Sequence, residues 1–154
     1  KKCVLLGTGG AAKSVIVALH NLGAESITVV SRTLSSKLTN LLGKFPYINI
    51  AIYENFLEGD ILINTTPVGM YPNIGASPVT EEVIKRFKGA VDIVYNPLKT
   101  EFLKLAEKNG LQCADGLYML VEQAVKAQEI WQEREFDDSL GEELYNYLAD
   151  NFIG

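Results

Sequence analysis

The sequence predicts an α/β fold of the doubly wound kind: a mostly parallel sheet of about six strands, helices on both faces, and two further helices toward the C-terminal end. Three observations predict it. Short uninterrupted apolar runs recur along the chain, as strands buried on both faces require. Segments with apolar residues at helical spacing follow them, so strands and helices alternate. A glycine-rich string joins the first such run to the first such helix.

Taken in order, Cys3-Val4-Leu5-Leu6 is the first run and stops at Gly7. Residues 10–22 carry Val15, Ile16 and Leu19 on one side, and Gly23 closes that helix as a C-cap residue. Ile27-Thr28-Val29-Val30 is the second strand, and residues 34–42 read as a second helix ending near Gly43. Residues 47–53 suggest a third strand nearer an edge, because the pattern is less uniformly apolar. Residues 60–63 make a fourth, 90–94 a fifth and 111–114 a short sixth. The connection between residues 70 and 89 is looser, with Pro72 and Pro78, then a short helix over 80–87. Residues 100–109 read as a helix with Phe102, Leu103 and Ala106 apolar, stopped by Gly110, and Thr100 suits its cap. Two helices finish the chain. The first, 117–134, carries Leu117, Leu120, Val121, Ala124 and Trp131. The second begins at Ser139 with Glu142 in a capping-box position, and Leu140, Leu144 and Leu148 then recur every fourth residue.

Composition narrows the function classes. At 154 residues, 47% hydrophobic and 21% charged, the chain has the profile of one soluble globular domain. No apolar run approaches the ~20 residues of a membrane helix, and a formal charge of −5 argues against a broad nucleic-acid or anionic-membrane surface. One His and two Cys leave no cluster with zinc-ligand spacing. Cys3 and Cys113 both fall in strand-like runs, which favours buried reduced thiols over a disulfide and a cytoplasmic setting. His20, late in the first helix, reads as a surface residue.

Gly7-Thr8-Gly9-Gly10-Ala11-Ala12 fits G-x-G-x-x-A between a strand and a helix, the context that makes the pattern a Rossmann-like dinucleotide fingerprint. Gly7 permits the tight turn, Gly9 lets backbone approach a pyrophosphate, and Ala12 keeps helix and strand close. Free N–H groups near Gly10 and Ala11 would face the diphosphate with the helix dipole behind them. A glycine turn that binds nothing is the plainer alternative. The cofactor's identity depends on the tip of the second strand, which reads Val30-Ser31-Arg32-Thr33 and carries no acid to accept from an adenosine ribose hydroxyl. A guanidinium suits a 2′-phosphate, so NADP is expected over NAD, with Ser31, Thr33, Ser35, Ser36 and Lys37 around Arg32. Ser35 or Ser36 also suits the N-cap of the second helix.

Further strings carry a resemblance to a family. Asn64-Thr65-Thr66-Pro67-Val68-Gly69-Met70 follows the fourth strand, and Asp92-Ile93-Val94-Tyr95-Asn96-Pro97-Leu98-Lys99-Thr100 runs from the fifth. Ala114-Asp115-Gly116-Leu117-Tyr118-Met119-Leu120-Val121-Glu122-Gln123-Ala124 opens the penultimate helix, with Trp131 two turns beyond Gln123. With the glycine loop and Ser31-Arg32-Thr33, these resemble the C-terminal NADP-binding domain of shikimate dehydrogenase, in that family's order and spacing, from Lys1 to about Trp131.

The resemblance implies an NADP-dependent oxidoreductase of aromatic amino-acid biosynthesis that interconverts 3-dehydroshikimate and shikimate. It implies that Gly7 to Ala11 hold the pyrophosphate, and that Ser31 to Ser36 hold the adenosine ribose and its 2′-phosphate. The family commonly has a second basic residue where this chain has Ser36, and Lys37 stands one position on. Ile93 and Gly116 match positions along the nicotinamide end, Thr65 stands where the loop after the fourth strand passes the cofactor, and Tyr95 and Gln123 match residues that bind substrate. The family's catalytic Lys and Asp belong to an N-terminal substrate domain, and neither Lys13 nor Asp92 matches them. The chain therefore reads as one Rossmann domain, residues 1–154, excised from a two-domain enzyme, with no catalytic residue of its own. Its terminal helices would span 116–154, the first lining the cleft. The partners implied are the substrate and the missing domain, without nucleic acid or membrane. A quinate-type relative and a non-catalytic dinucleotide sensor are the alternatives. A glutamyl-tRNA reductase cofactor domain shares the loop, but the Tyr95 and Gln123 strings argue against it.

Overall fold

A computed structural model describes residues 1–94 and 96–116; Tyr95, Gln123 and both terminal helices lie outside the described residues. The elements run β1 (Lys2–Leu6), α1 (Gly10–Asn21), β2 (Ser26–Ser31), α2 (Ser36–Lys44), β3 (Asn49–Ile52), β4 (Ile61–Asn64), α3 (Glu81–Ile84), β5 (Gly89–Asp92), α4 (Glu101–Lys108) and β6 (Gln112–Ala114). The sheet order is β3-β2-β1-β4-β5-β6. Every pairing is parallel, from Leu6↔Val30 and Leu6↔Asn64 at the centre to Val91↔Ala114 at one edge. The expected fold is present, and the edge position expected for the third strand is where β3 lies.

Strand alternation divides the core into two layers. Val4, Leu6, Val30, Leu62 and Ala90 face one way, against Ile84 of α3 and Phe102, Leu103 and Ala106 of α4. Leu5, Ile27, Val29 and Ile63 face the other way, against Ala12, Val15 and Ile16 of α1 and Leu38 and Leu41 of α2. Ala12 is fully buried, as its place in the glycine fingerprint requires. Cys3 is buried and Cys113 half-buried, both as free thiols. Cys113 is less enclosed than expected because, among the described residues, β6 is an edge strand paired with β5 on one side alone.

Two helices differ from expectation. Helix α2 begins at Ser36, not Leu34, because Leu34 is two-thirds exposed and belongs to the turn leaving β2. Ser35 is its N-cap by backbone conformation, yet its side chain makes no capping hydrogen bond. Helix α3 is four residues long where 80–87 was expected; Ile84 and Phe87 are still buried, so the apolar spacing outlasts the helical backbone.

Candidate dinucleotide site

Sheet topology places the site. β1 is flanked by β2 and β4, so the chain leaves the carboxyl ends of these strands in opposite directions and a crevice opens between the departing loops. The Gly7 N–H donates to the Val30 carbonyl at 3.0 Å, and the Thr65 N–H donates to Leu6 at 2.9 Å, tying the three strand ends together. Gly7 has φ +109, and a Cβ there would lie 2.7 Å from Thr65 Oγ1. The residue thus makes both the turn and the space into which Thr65 packs. Gly9 is different: its backbone is extended, and a Cβ built on it would meet no heavy atom within 4 Å. Nothing inside the fold requires glycine there. The open space in front of Gly9 is what a ligand approaching the backbone needs. No acid occupies the first turn of α1, so the helix supplies no carboxylate of its own to its positive dipole end.

The crevice has a volume of about 1110 Å³ and is lined by Gly7, Thr8, Gly9, Ser31, Arg32, Thr33, Lys37 and Thr65 among the residues expected from sequence. Arg32 and Lys37 are exposed, and among the described residues neither is paired with an acid. Tyr53 lines the same space from beyond β3. Burial pushes its phenol up, while the Arg32 guanidinium pulls the other way. A second cleft of about 480 Å³ adjoins the first, sharing Thr65, Thr66 and Pro67, and is lined also by Met70, Ile93, Val94 and Asn96. Two spaces joined at the ends of β1 and β4 suit an extended ligand with two ends. Such a ligand would lay its phosphates over Gly7–Gly9 and an anionic group on Arg32.

The structure does not gather every expected residue. Gly10 and Ala11 form the first turn of α1 and are exposed, but line neither cleft. Ser36 is also absent from the lining, and Ser35 takes its place. Gly116 lines neither space, but it is pressed against two residues of the second, Ile93 and Val94. A Cβ at Gly116 would run into the Ile93 carbonyl. The Thr65 hydroxyl donates to Leu6 at 2.6 Å and is committed inside the fold, so Thr65 offers the cleft its remaining surface.

No protein-family model matches the chain. Among curated proteins, a shikimate dehydrogenase (NADP(+)) of Clostridium perfringens is 49% identical over 151 residues, covering 96% of this chain and 55% of that protein. This chain is homologous to the C-terminal half of shikimate dehydrogenases. A chorismate mutase/shikimate 5-dehydrogenase fusion protein from Clostridium acetobutylicum is consistent with this. That structure superposes with a TM-score of 0.88 at 39% identity, covering 99% of this chain and 55% of that one. A Thermus thermophilus shikimate dehydrogenase solved with NADP(H) and shikimate gives 0.81 at 34% identity, over 94% of this chain and 54% of that one. The chain thus spans about half the length of the shikimate dehydrogenases it matches.

Sequence reasoning missed the polar network beneath this site. Asp92 and Thr100 are fully buried, as is Asn64. Asp92 Oδ2 accepts from the Thr100 hydroxyl at 2.7 Å, and Oδ1 accepts from the Val94 N–H at 3.0 Å and from Asn64 Nδ2 at 3.2 Å. Burial pushes the Asp92 carboxyl up, and these three hydrogen bonds pull against that rise. Thr100 caps α4 as expected, accepting from the Leu103 N–H. The one sequence signal for the network was a polar residue ending each of two otherwise apolar strands, Asn64 on β4 and Asp92 on β5.

Proposed function

We propose that this chain is the NADP-binding half of a shikimate dehydrogenase, a cytoplasmic oxidoreductase that interconverts 3-dehydroshikimate and shikimate. The observation that carries the reading is Arg32: exposed at the tip of β2, unpaired with any described acid, and lining one crevice with the glycine loop. A planar guanidinium in that place recognises a phosphate by paired hydrogen bonds and offers nothing to a ribose diol. The relatives named for NADP(+) support the same choice.

Bound NADPH supplies the hydride that reduces the substrate ketone. The chain's own residues bind and orient. Gly7, Thr8 and Gly9 receive the pyrophosphate, and Ser31, Arg32, Thr33, Ser35 and Lys37 the 2′-phosphate end. Ile93 and Gly116 are assigned to the nicotinamide end, Thr65 to the loop that passes the cofactor, and Tyr95 and Gln123 to the substrate. A phenol and an amide suit a polyol acid, since the amide donates and accepts at once. Proton transfer and polarisation of the carbonyl oxygen require further groups, which this reading assigns to a Lys and an Asp of the family's N-terminal substrate domain.

Calorimetric titration with NADPH and NADH tests the assignment. The parent chain is expected to prefer NADPH, and Arg32→Ala to lose roughly 1.5–3 kcal/mol of NADPH binding with little change for NADH. Equal affinities in the parent, or no loss on removing Arg32, would sink it.

A further inference from the structure

Asp92 is the one fully buried acid among the described residues, and none of the described cations is paired with it. A carboxylate removed from water persists only where hydrogen bonds replace hydration. Here three donors converge on its two oxygens. What those donors connect is informative. Asn64 and Asp92 are register partners at the last rung between β4 and β5, where the backbone ladder stops and the loops diverge. Their side chains continue the connection past that point.

Asn64 passes the contact outward. Its Oδ1 accepts from the Thr66 N–H at 3.0 Å and from the Thr66 hydroxyl at 2.6 Å, and Nδ2 reaches the Val68 carbonyl at 3.4 Å. Thr66 Oγ1 in turn accepts from the Val68 N–H at 3.3 Å. On the other side Asp92 holds the Val94 N–H directly, and through Thr100 it is fixed to the start of α4. Thr66, after β4, and Val94, after β5, both line the second cleft, and neither Asn64 nor Asp92 lines it. We propose that Asp92 is a positioning residue: through Asn64 and the Val94 N–H it fixes these two lining segments relative to each other, and with them how firmly the nicotinamide end of a dinucleotide is held.

The inference rests on the reading of the crevice as an NADP site, and it makes the two ends of the ligand respond differently. Adenosine 2′,5′-bisphosphate occupies only the Arg32 end, whereas NADPH uses both. In the 154-residue chain, Asp92→Asn keeps the shape but replaces one acceptor oxygen with a donor, in a place where all three neighbours donate. NADPH affinity should fall about tenfold, the size expected for losing a charge-assisted contact. Adenosine 2′,5′-bisphosphate affinity should hold within about twofold, and the fluorescence of bound NADPH should shift toward that of the free cofactor. Thr100→Val, outside both clefts, should move the same ratio in the same direction, and Thr100→Ser should restore it. A variant that has merely lost folded protein weakens both ligands together. Should Asp92→Asn behave so, Thr100→Val decides by the same ratio. Parent-like ratios in Asp92→Asn and Thr100→Val overturn the inference alone. A parent chain that binds neither ligand overturns the reading of the crevice and the inference with it.

Discussion

Two glycines two positions apart do different work. Gly7 is required by the fold: φ +109 is costly for any residue with a Cβ, and Thr65 Oγ1 occupies the place that a Cβ would take. Gly7→Ala should lower unfolding free energy by roughly 1–3 kcal/mol in urea titrations, with cofactor binding lost alongside. Gly9 carries neither constraint, being extended and open in front. Gly9→Ala should leave the unfolding midpoint within about 0.5 kcal/mol of the parent, as for a neutral surface change, while NADPH affinity falls. Undiminished NADPH affinity in Gly9→Ala would mean that no ligand approaches the loop at that point. The fingerprint was legible in sequence because its requirements are local to one strand-turn-helix junction. The role of Thr65 in forcing Gly7 was not, because it depends on a residue 58 positions away.

At the scale of elements, what the sequence disclosed followed the same division. The apolar runs of β1, β2 and β4 are central strands, and their burial on both faces shows in composition alone. β3 is shorter than its 47–53 run: it pairs from Thr28↔Asn49 to Ser31↔Ile52, stopping where β2 ends, while Tyr47 and Ile48 stay outside the ladder although β2 already begins at Ser26. Leu34 misplaced the start of α2, since an apolar residue in a turn beside an open crevice looks like a helix residue until its exposure is known. The loop before β4 is held by an interaction invisible to pattern: Asp60 accepts the Lys2 N–H at 2.8 Å and pairs with Lys88 at 3.2 Å. The Lys2 hydrogen bond, then Lys88, hold the Asp60 carboxyl below its ordinary range. A folded-state value below the unfolded one means that the contribution is present above the unfolded pKa and is lost as pH falls through the folded one. Unfolding measured across the acid range should show Asp60→Asn less stable than the parent near neutrality, with the two curves converging below about pH 4. A constant gap down to strongly acid pH would count against this pairing as a source of stability.

For the whole molecule, the parallel sheet separates folding from chemistry. Its two apolar layers lie above and below the strands, whereas the candidate site occupies the carboxyl edge, built from loops that the layers do not need. Net charge is −5, yet Arg32 and Lys37 stand unpaired with described acids at that edge, so positive charge is concentrated where a phosphate would bind. Such a chain should bind cofactor and still fail to react. A ligand that binds only the folded state raises unfolding free energy by about 2.7 kcal/mol at a hundred times its Kd. Saturating NADPH should therefore raise the thermal midpoint of the 154-residue chain by several degrees. Arg32→Ala should lose most of that gain at the same concentration. Mixed with shikimate and NADP, the same sample should form no NADPH, because the groups that move the proton are assigned to the half of the family's fold that this chain does not match. Stabilisation by NADPH together with shikimate oxidation would place a catalytic pair within these residues. Stabilisation without it leaves cofactor binding and catalysis in separate halves, as the position of the cleft at one edge of a self-sufficient sheet allows.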